Sequence, residues 1–550
     1  MEKKKLFQKK WFVPCMILLL VVQLCAAFWF CSQKQGYHYD EYYSYYSSNV
    51  TYGLAPTDME WKDTTEIRSE FMVMPDAGVD YGMVRMMQSW DVHPPLYYYV
   101  LHTVCGLSKG VFSKWQGLSV NLVFFVLSWL TLWGIIKELT GNDKKKIFAV
   151  CALFGISPAV FSGITFIRMY MMLTFECLLL LYVHIRAVMR EKRSFTGFYL
   201  PVFLLSFAGF HTHYYFAVFL FFMAAAVCLY LFFHKETRKT SFGYAAVVLS
   251  GMMLSVAAYP ACFSHIFRGY RGTEAQDAFF DMGNIYGRLS FFFGLTNEYA
   301  FGNMLAVILL AILVGGVTKK AAQNMKRAAQ EGLDMRRDEN GQVDTTWTPH
   351  KKAVILTAVV TIGYFLVVAK TALLNAEEAI RYEMPVYGLL ILLVILLLDH
   401  QLVFFKNHKN KKQLNIVFIC LIMLVFCGEA VGLVQGKVCF LYPEDAQNIA
   451  WAAEHKADTV AYIYNSTNQW MIWDESEELM QYEQIYFVSS DHDAMEPDER
   501  LTEADRIYVY KMRGDAADEM LYIMADTNGG FTEINLIREL LYCDLYEMKR

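Results

Sequence analysis

Apolar runs of about 18 to 22 residues recur along this chain, and that repeat constrains its fold more than any other feature. A run of this length matches the hydrocarbon thickness of a bilayer when coiled as a helix. Spans are predicted near 11–31, 117–136, 147–165, 169–188, 196–211, 214–233, 241–261, 301–318, 353–373, 382–399 and 413–434. The expected fold class is therefore a polytopic α-helical membrane protein with about eleven transmembrane helices. Composition agrees: of 550 residues, 55% are hydrophobic, 16% aromatic and only 19% charged. That balance excludes a disordered chain, a coiled coil and an ordinary cytosolic enzyme.

Charge is distributed unevenly. From Leu441 to Arg550 there are 24 acids against 8 bases, which leaves 30 acids and 41 bases before it. Basic clusters sit at the N-terminus, at Lys144-Lys145-Lys146, at Arg190 to Arg193, at Lys235 to Lys239, in 319–352 and at Lys406 to Lys412. They fall on alternate loops, which predicts a plasma-membrane protein with a cytoplasmic N-terminus. The first run follows lysines as a signal peptide does, but no small-residue cleavage site follows it, so it is read as a retained anchor. Residues 94–109 are then expected to form a helix lying on the outer membrane surface, because a crossing there would invert every later loop. His93 or Asp91 is expected near its cap, before Pro94 and Pro95.

Two parts are predicted: a membrane domain at 1–438 and an acidic extracytoplasmic α/β domain at 439–550. The membrane domain carries a first outer loop at 32–116 and another at 262–300. In the tail, 459–464, 484–488 and 506–510 read as strands, 444–456 and 530–541 as helices, and 321–349 as a polar cytoplasmic loop. The 12 cysteines form no CxxC pattern, and Cys439 and Cys543 could pair across the tail. No basic patch interleaved with aromatics points to nucleic acid.

The chemistry-bearing residues concentrate on the predicted outer face. Tyr37-His38-Tyr39-Asp40-Glu41-Tyr42-Tyr43 follows the first span. A carboxylate just above the bilayer can deprotonate an incoming hydroxyl, although an interfacial aromatic belt with solvated acids has the same local look. In Trp90-Asp91-Val92-His93-Pro94-Pro95-Leu96-Tyr97-Tyr98, His93 either binds phosphate or caps a helix. Arg168 and Arg381 open spans, and Arg268 and Arg271 lie in 262–300. Arginines there suit a lipid phosphate, or pair with Glu274, Glu377, Glu378 or Glu383. His211 and His213 form an HxH pair that supplies two metal ligands but no third.

Taken in order, these elements resemble the GT-C membrane glycosyltransferases, in particular glycosyltransferase family 39, which includes protein O-mannosyltransferases and the bacterial aminoarabinose transferases. The likeness runs over about residues 10–400. It rests on Asp40-Glu41 after the first span, on Asp91, His93, Pro94, Pro95, Leu96, Tyr97 and Tyr98, on Arg168-Met169-Tyr170, on the HxHYY turn at 211–215, and on Arg381, Tyr382 and Pro385. The resemblance implies an inverting transfer from a polyprenyl-phosphate sugar to a glycan, lipid or protein of the cell envelope. Asp40 would be the general base, with Glu41 assisting or orienting the acceptor. Asp91, His93 and Tyr97 would belong to the acceptor-side loop. Arg168, Arg381 and Tyr382 would hold the donor phosphate, and to these the loop position adds Arg268 and Arg271. No cofactor is certain on this reading, and a divalent metal stays open. Protein O-mannosyltransferases carry a lysine shortly after the Pro pair, where Tyr97, Tyr98 and Tyr99 stand here, so a bacterial envelope glycan is the expected acceptor. A transporter or flippase is the alternative. It would place its ionisable residues near the bilayer midplane rather than at one face.

Overall fold

The computed structural model describes residues 2–49, 58–233, 237–317, 348–404 and 411–550, without side chains at 2–10, 403–404 and 411–412. The expected polar loop at 321–349 lies outside the described residues as far as 347, as do Lys235, Lys406 and the side chains of the N-terminal lysines. Nine described helices are long and apolar enough to cross a membrane, and two bent helix pairs bring the total to as many as eleven. The bent pairs are Lys144–Ile156 with Pro158–Thr165, at 51°, and Met282–Phe301 with Leu305–Val317, at 96°. The first kink falls at Pro158, whose ring prevents a continuous helix. The second turns on Gly302, which adopts a positive φ of 52° and lies against Gly428 so closely that a side chain has no room.

Buried amides tie the bundle together. Gln23 of the first helix donates to Cys151 O and Ala152 O at 3.1 and 3.0 Å, and accepts from Trp129 Nε1 at 2.9 Å. In an apolar interior such paired groups fix helix register, because each would be costly alone. The turns after residues 33, 165, 212 and 371 all come to one end of the bundle, where the chain also re-enters at Leu441, whose carbonyl accepts from Gln35 N at 2.7 Å.

The segment expected on the membrane surface forms the helix Leu96–Leu107. Its 12 residues span about 18 Å, too short to cross a bilayer. Its N-cap is Pro95 and carries no side-chain cap bond, so neither His93 nor Asp91 caps it. The expected outer loop 262–300 is helical almost throughout, as Cys262–Phe267, Tyr270–Phe280 and Ile285–Phe301. Lys370 bolts it to the neighbouring span through Ala278 O, Asp281 O and Asn284 Oδ1.

The C-terminal part is a six-stranded sheet in the order β1-β3-β2-β4-β6-β5, with strands at Glu60–Asp63, Thr459–Tyr464, Gln484–Ser489, Arg506–Met512, Glu533–Glu539 and Cys543–Lys549. Three strands stand where they were expected. The expected helix at 530–541 is instead β5, paired antiparallel with β6. Gly529-Gly530 and the alternation through Glu533-Ile534-Asn535-Leu536 favour an edge strand, and the helix sits earlier, at Asp515–Thr527. β1 comes from the first loop and pairs with β3. Alternation splits the sheet: Ala461 and Ile463 face the Met520 and Met524 side, while Val460, Tyr462 and Tyr464 join the main core. Cys439 and Cys543 are both free thiols, so the pairing considered from sequence does not form.

Acids crowd the junction between this domain and the helices. Burial pushes the Asp445 and Glu477 carboxyls up to about 7 and that of Asp474 to about 6. A carboxyl whose pKa is raised on folding stabilises the fold fully below its unfolded value of about 4, and that contribution disappears as pH rises through 6–7. The protein in nanodiscs is therefore expected to melt higher at pH 5 than at pH 8. Glu477→Gln should flatten the difference, and an equal melting temperature at both pH values would contradict this reading of the junction.

Candidate functional site

Asp40 sits in the first turn of the helix Tyr39–Asn49, where the helix dipole favours a carboxylate. His38 precedes it and accepts the Asp40 N–H at Nδ1, 3.0 Å away, which directs Nε2 at Glu378 Oε2, 3.2 Å away. Ser44 Oγ bridges Asp40 O and Ile167 O at 3.1 and 3.0 Å, tying this helix to the turn that carries Arg168. Asn121 fixes the same turn by donating to Ile164 O and Phe166 O at 3.1 and 2.6 Å.

Two arginines flank the Asp40 carboxylate. Arg168 Nη2 lies 3.9 Å from Oδ1 and Arg381 Nη2 lies 3.7 Å from Oδ2. Arg381, in the 3-10 helix Ala376–Glu383, is wedged between the rings of Phe166 and Tyr382, each 5.1 Å from its guanidinium carbon. Glu378 accepts from it at 3.5 Å and Tyr382 OH at 3.3 Å. Arg168 donates to Asp40 O, Ser44 Oγ and Tyr98 OH at 3.1, 3.2 and 2.9 Å. The side chains of both arginines are almost fully buried, and each keeps an Nε–H without an acceptor. Burial alone would push the Asp40 carboxyl up, but Arg168, His38, Arg381 and His93 together hold it well below the usual carboxylate range.

His93 completes the group. Its Nδ1 is 3.2 Å from Asp91 Oδ2, and Arg168 Nη2 lies 3.3 Å from the same nitrogen. His213 faces it with ring centroids 5.8 Å apart, and burial, followed by the proximity of His93 and Arg168, pushes the His213 imidazole well below its ordinary value. Asp40, Asp91, His93, Arg168, His213, Arg381 and Tyr382 all line one cavity of about 1130 Å³. The helix Tyr270–Phe280 forms one wall, contributing Arg271, which pairs with Glu274 at 3.2 Å, along with Phe279 and Phe280. Phe280, at the end of this otherwise largely polar helix, is 76% exposed. Charged, polar, aromatic and apolar side chains thus all line the same cavity, which suits an amphiphile carrying an anionic head.

Four of the residues singled out from sequence lie elsewhere. Glu41 does not reach the cavity: it is fully buried, pairs with Lys34 Nζ at 2.8 Å, and accepts the backbone N–H of His38 and of Ile167 at 2.6 and 2.7 Å. It therefore braces the Asp40 helix and the Arg168 turn from behind. Tyr97 is buried against Tyr98, and Tyr98 is the ring that meets Arg168, because successive helical residues point about 100° apart. Arg268 ends the helix Cys262–Phe267 on the exposed side. His211 bonds Ser255 Oγ at 2.6 Å, so the HxH pair does not converge. Among the described residues no group of three or more His, Cys, Asp or Glu side chains is arranged to hold a metal ion. Tyr39 and Tyr43 of the motif after the first span also line the cavity, as do Trp470 and Tyr542, which the sequence reading passed over. Trp470 and Tyr542 come from the C-terminal domain, about 430 and 500 residues from Asp40 in the chain, and no local pattern joins them to it.

No protein-family model matches the sequence, and no curated protein matches it. Solved structures do. ArnT from Cupriavidus metallidurans bound to undecaprenyl phosphate superposes with a TM-score of 0.51 at 10% identity, covering 97% of this chain and 98% of that one. The apo state of the same protein superposes with a TM-score of 0.50, again at 10% identity and over 97% and 98% of the two chains. At that identity the likeness establishes the fold alone, a bundle of apolar helices like that of ArnT with a small C-terminal sheet-containing domain.

Proposed function

We propose that this protein is an inverting membrane glycosyltransferase that moves a sugar from a polyprenyl-phosphate donor to a cell-envelope acceptor. The observation that carries this reading is the shared carboxylate: Asp40 lies between Arg168 and Arg381, at 3.9 and 3.7 Å, inside a cavity large enough for a lipid-linked sugar. ArnT, with the same fold, binds undecaprenyl phosphate, which supports the choice of donor. Reaction on the outer face of the plasma membrane, with the N-terminus cytoplasmic and the C-terminal domain extracytoplasmic, follows from the alternation of basic loops.

In the mechanism, the donor phosphate enters from the lipid side along the helix Tyr270–Phe280. It takes Arg168 and Arg381 as its partners, as guanidinium forks do with phosphate oxygens. That exchange releases Asp40 from both positive charges, so the carboxylate becomes a stronger base when the donor is in place. The acceptor oxygen attacks the anomeric carbon from the face opposite the phosphate, and its proton passes to Asp40. The bond from the anomeric carbon to the phosphate oxygen breaks, and the arginines stabilise the departing charge. The products are the glycosylated acceptor and polyprenyl phosphate. The proton then leaves Asp40 through the open cavity.

Arg381→Ala is expected to raise the KM for donor about 10- to 100-fold, the value of one or two charge-assisted hydrogen bonds, with a smaller change for acceptor. Donor titration at saturating acceptor measures it. An unchanged donor KM would remove Arg381 from the phosphate site.

A further inference from the structure

The wall that the C-terminal domain contributes to the cavity is aromatic. Trp470 and Tyr542 both line it, both are half-buried, and their ring centroids are 5.5 Å apart. Trp470 in turn lies 6.1 Å from the ring of Tyr39, the residue beside Asp40. Three rings therefore run from the base outward along one side.

Trp470 is held in place by its own segment. One helical turn later, Trp473 is buried and packs on Tyr43 and Tyr46 of the Asp40 helix at 4.6 and 4.7 Å. The segment Ser466–Glu475 is thereby fastened to the helix that carries the base, while Trp470 keeps a free face towards the cavity. β1, paired with β3, ties the same domain to the first loop a second time. A tail that merely closed the bundle would have no need to present rings to the interior.

Ring chemistry and charge define what such a wall takes. The CH face of a pyranose is apolar and flat, so it packs on indole and phenol rings whose polar edges stay wet. The domain bearing this wall has 24 acids and 8 bases from Leu441 onward, a net charge of about −16 that repels anionic ligands. We infer that Trp470, Tyr542 and Tyr39 form an acceptor subsite for the ring of a neutral saccharide. This assignment rests on the transferase reading and narrows it: the acceptor is a neutral glycan rather than a phosphorylated lipid or an anionic polymer.

The test is binding of the full-length protein in nanodiscs to an array of neutral and of phosphorylated or carboxylated oligosaccharides. Wild type, Trp470→Ala and Trp470→Phe are compared, without donor. The expected result is capture of neutral glycans by wild type, a loss of about tenfold or more in Trp470→Ala, and near-normal capture in Trp470→Phe. Absence of neutral-glycan binding, a preference for anionic glycans, or full capture by Trp470→Ala would overturn the subsite. Equal melting temperatures of wild type and Trp470→Ala exclude misfolding as the cause of lost capture. A Trp470→Ala protein that melts lower and is not rescued by Phe would mark Trp470 as structural and also overturn it. Because this assay contains no donor, it tests the subsite alone; absence of sugar transfer in a separate assay with donor added would refute the transferase reading while leaving the glycan-binding site standing.

Discussion

Asp40→Asn is expected to lower kcat by about 10²- to 10⁴-fold, the usual contribution of a positioned general base. The amide keeps the shape and accepts no proton. Its effect on donor binding has the opposite sign. Asp40 lies within 4 Å of both Arg168 and Arg381, and a phosphate must displace it from them. Removing the charge should leave donor affinity unchanged or tighten it, so kcat and the donor Kd separate. A variant that loses donor binding along with turnover would mean that Asp40 organises the arginines rather than serving as base. The depressed pKa adds a second mark. The free protein keeps Asp40 ionised throughout pH 5–8, so kcat/KM, which reports the free enzyme, should show no acid limb from this residue in that window.

The second large effect is at Lys34 and Glu41, a fully buried ion pair at 2.8 Å behind the site. Glu41→Ala is expected to cost about 3–5 kcal/mol, as breaking a buried pair usually does. It strands the Lys34 ammonium, whose pKa burial already presses down, with Phe440 O as its remaining bonded acceptor. It also removes the acceptor of the Ile167 and His38 backbone N–H groups. The double variant Lys34→Met with Glu41→Leu should recover much of the melting temperature, because a buried pair is often replaceable by apolar residues. It should not recover kcat, since the Ile167 N–H before Arg168 still lacks its acceptor, with only Ser44 and Asn121 left to hold that turn. Full recovery of both would show that Glu41 serves the fold alone, and a single variant as stable as wild type would contradict the buried-pair account.

These two neighbours show where the sequence was legible and where it was not. Adjacent acids after a span drew attention to Asp40 and Glu41 alike, yet a helix turn sends one into the cavity and the other into the core. Only the partners brought by residues 34, 167 and 440 decide between them. The helices that cross the membrane were legible because length and apolarity specify them locally. The strands at Thr459, Gln484 and Arg506 were legible because short β-branched and aromatic runs do so too. β5 was misread as a helix because it is an exposed edge strand whose pairing with β6, not burial of one face, gives it its form. β1 was missed because its four residues take their structure from β3, about 420 positions later. The arginines could be named from their span ends, but nothing local to them shows that both share one carboxylate.

The central claim is most directly tested by reconstituting the protein in proteoliposomes with a panel of labelled undecaprenyl-phosphate sugars and a native envelope extract as acceptor, and following polyprenyl phosphate release in wild type and Asp40→Asn. The account predicts release by wild type, coupled to a glycosylated product of inverted anomeric configuration, and none by the variant. Labelled donor that crosses the bilayer equally in both proteins, with no polyprenyl phosphate released, would contradict it and establish transport instead.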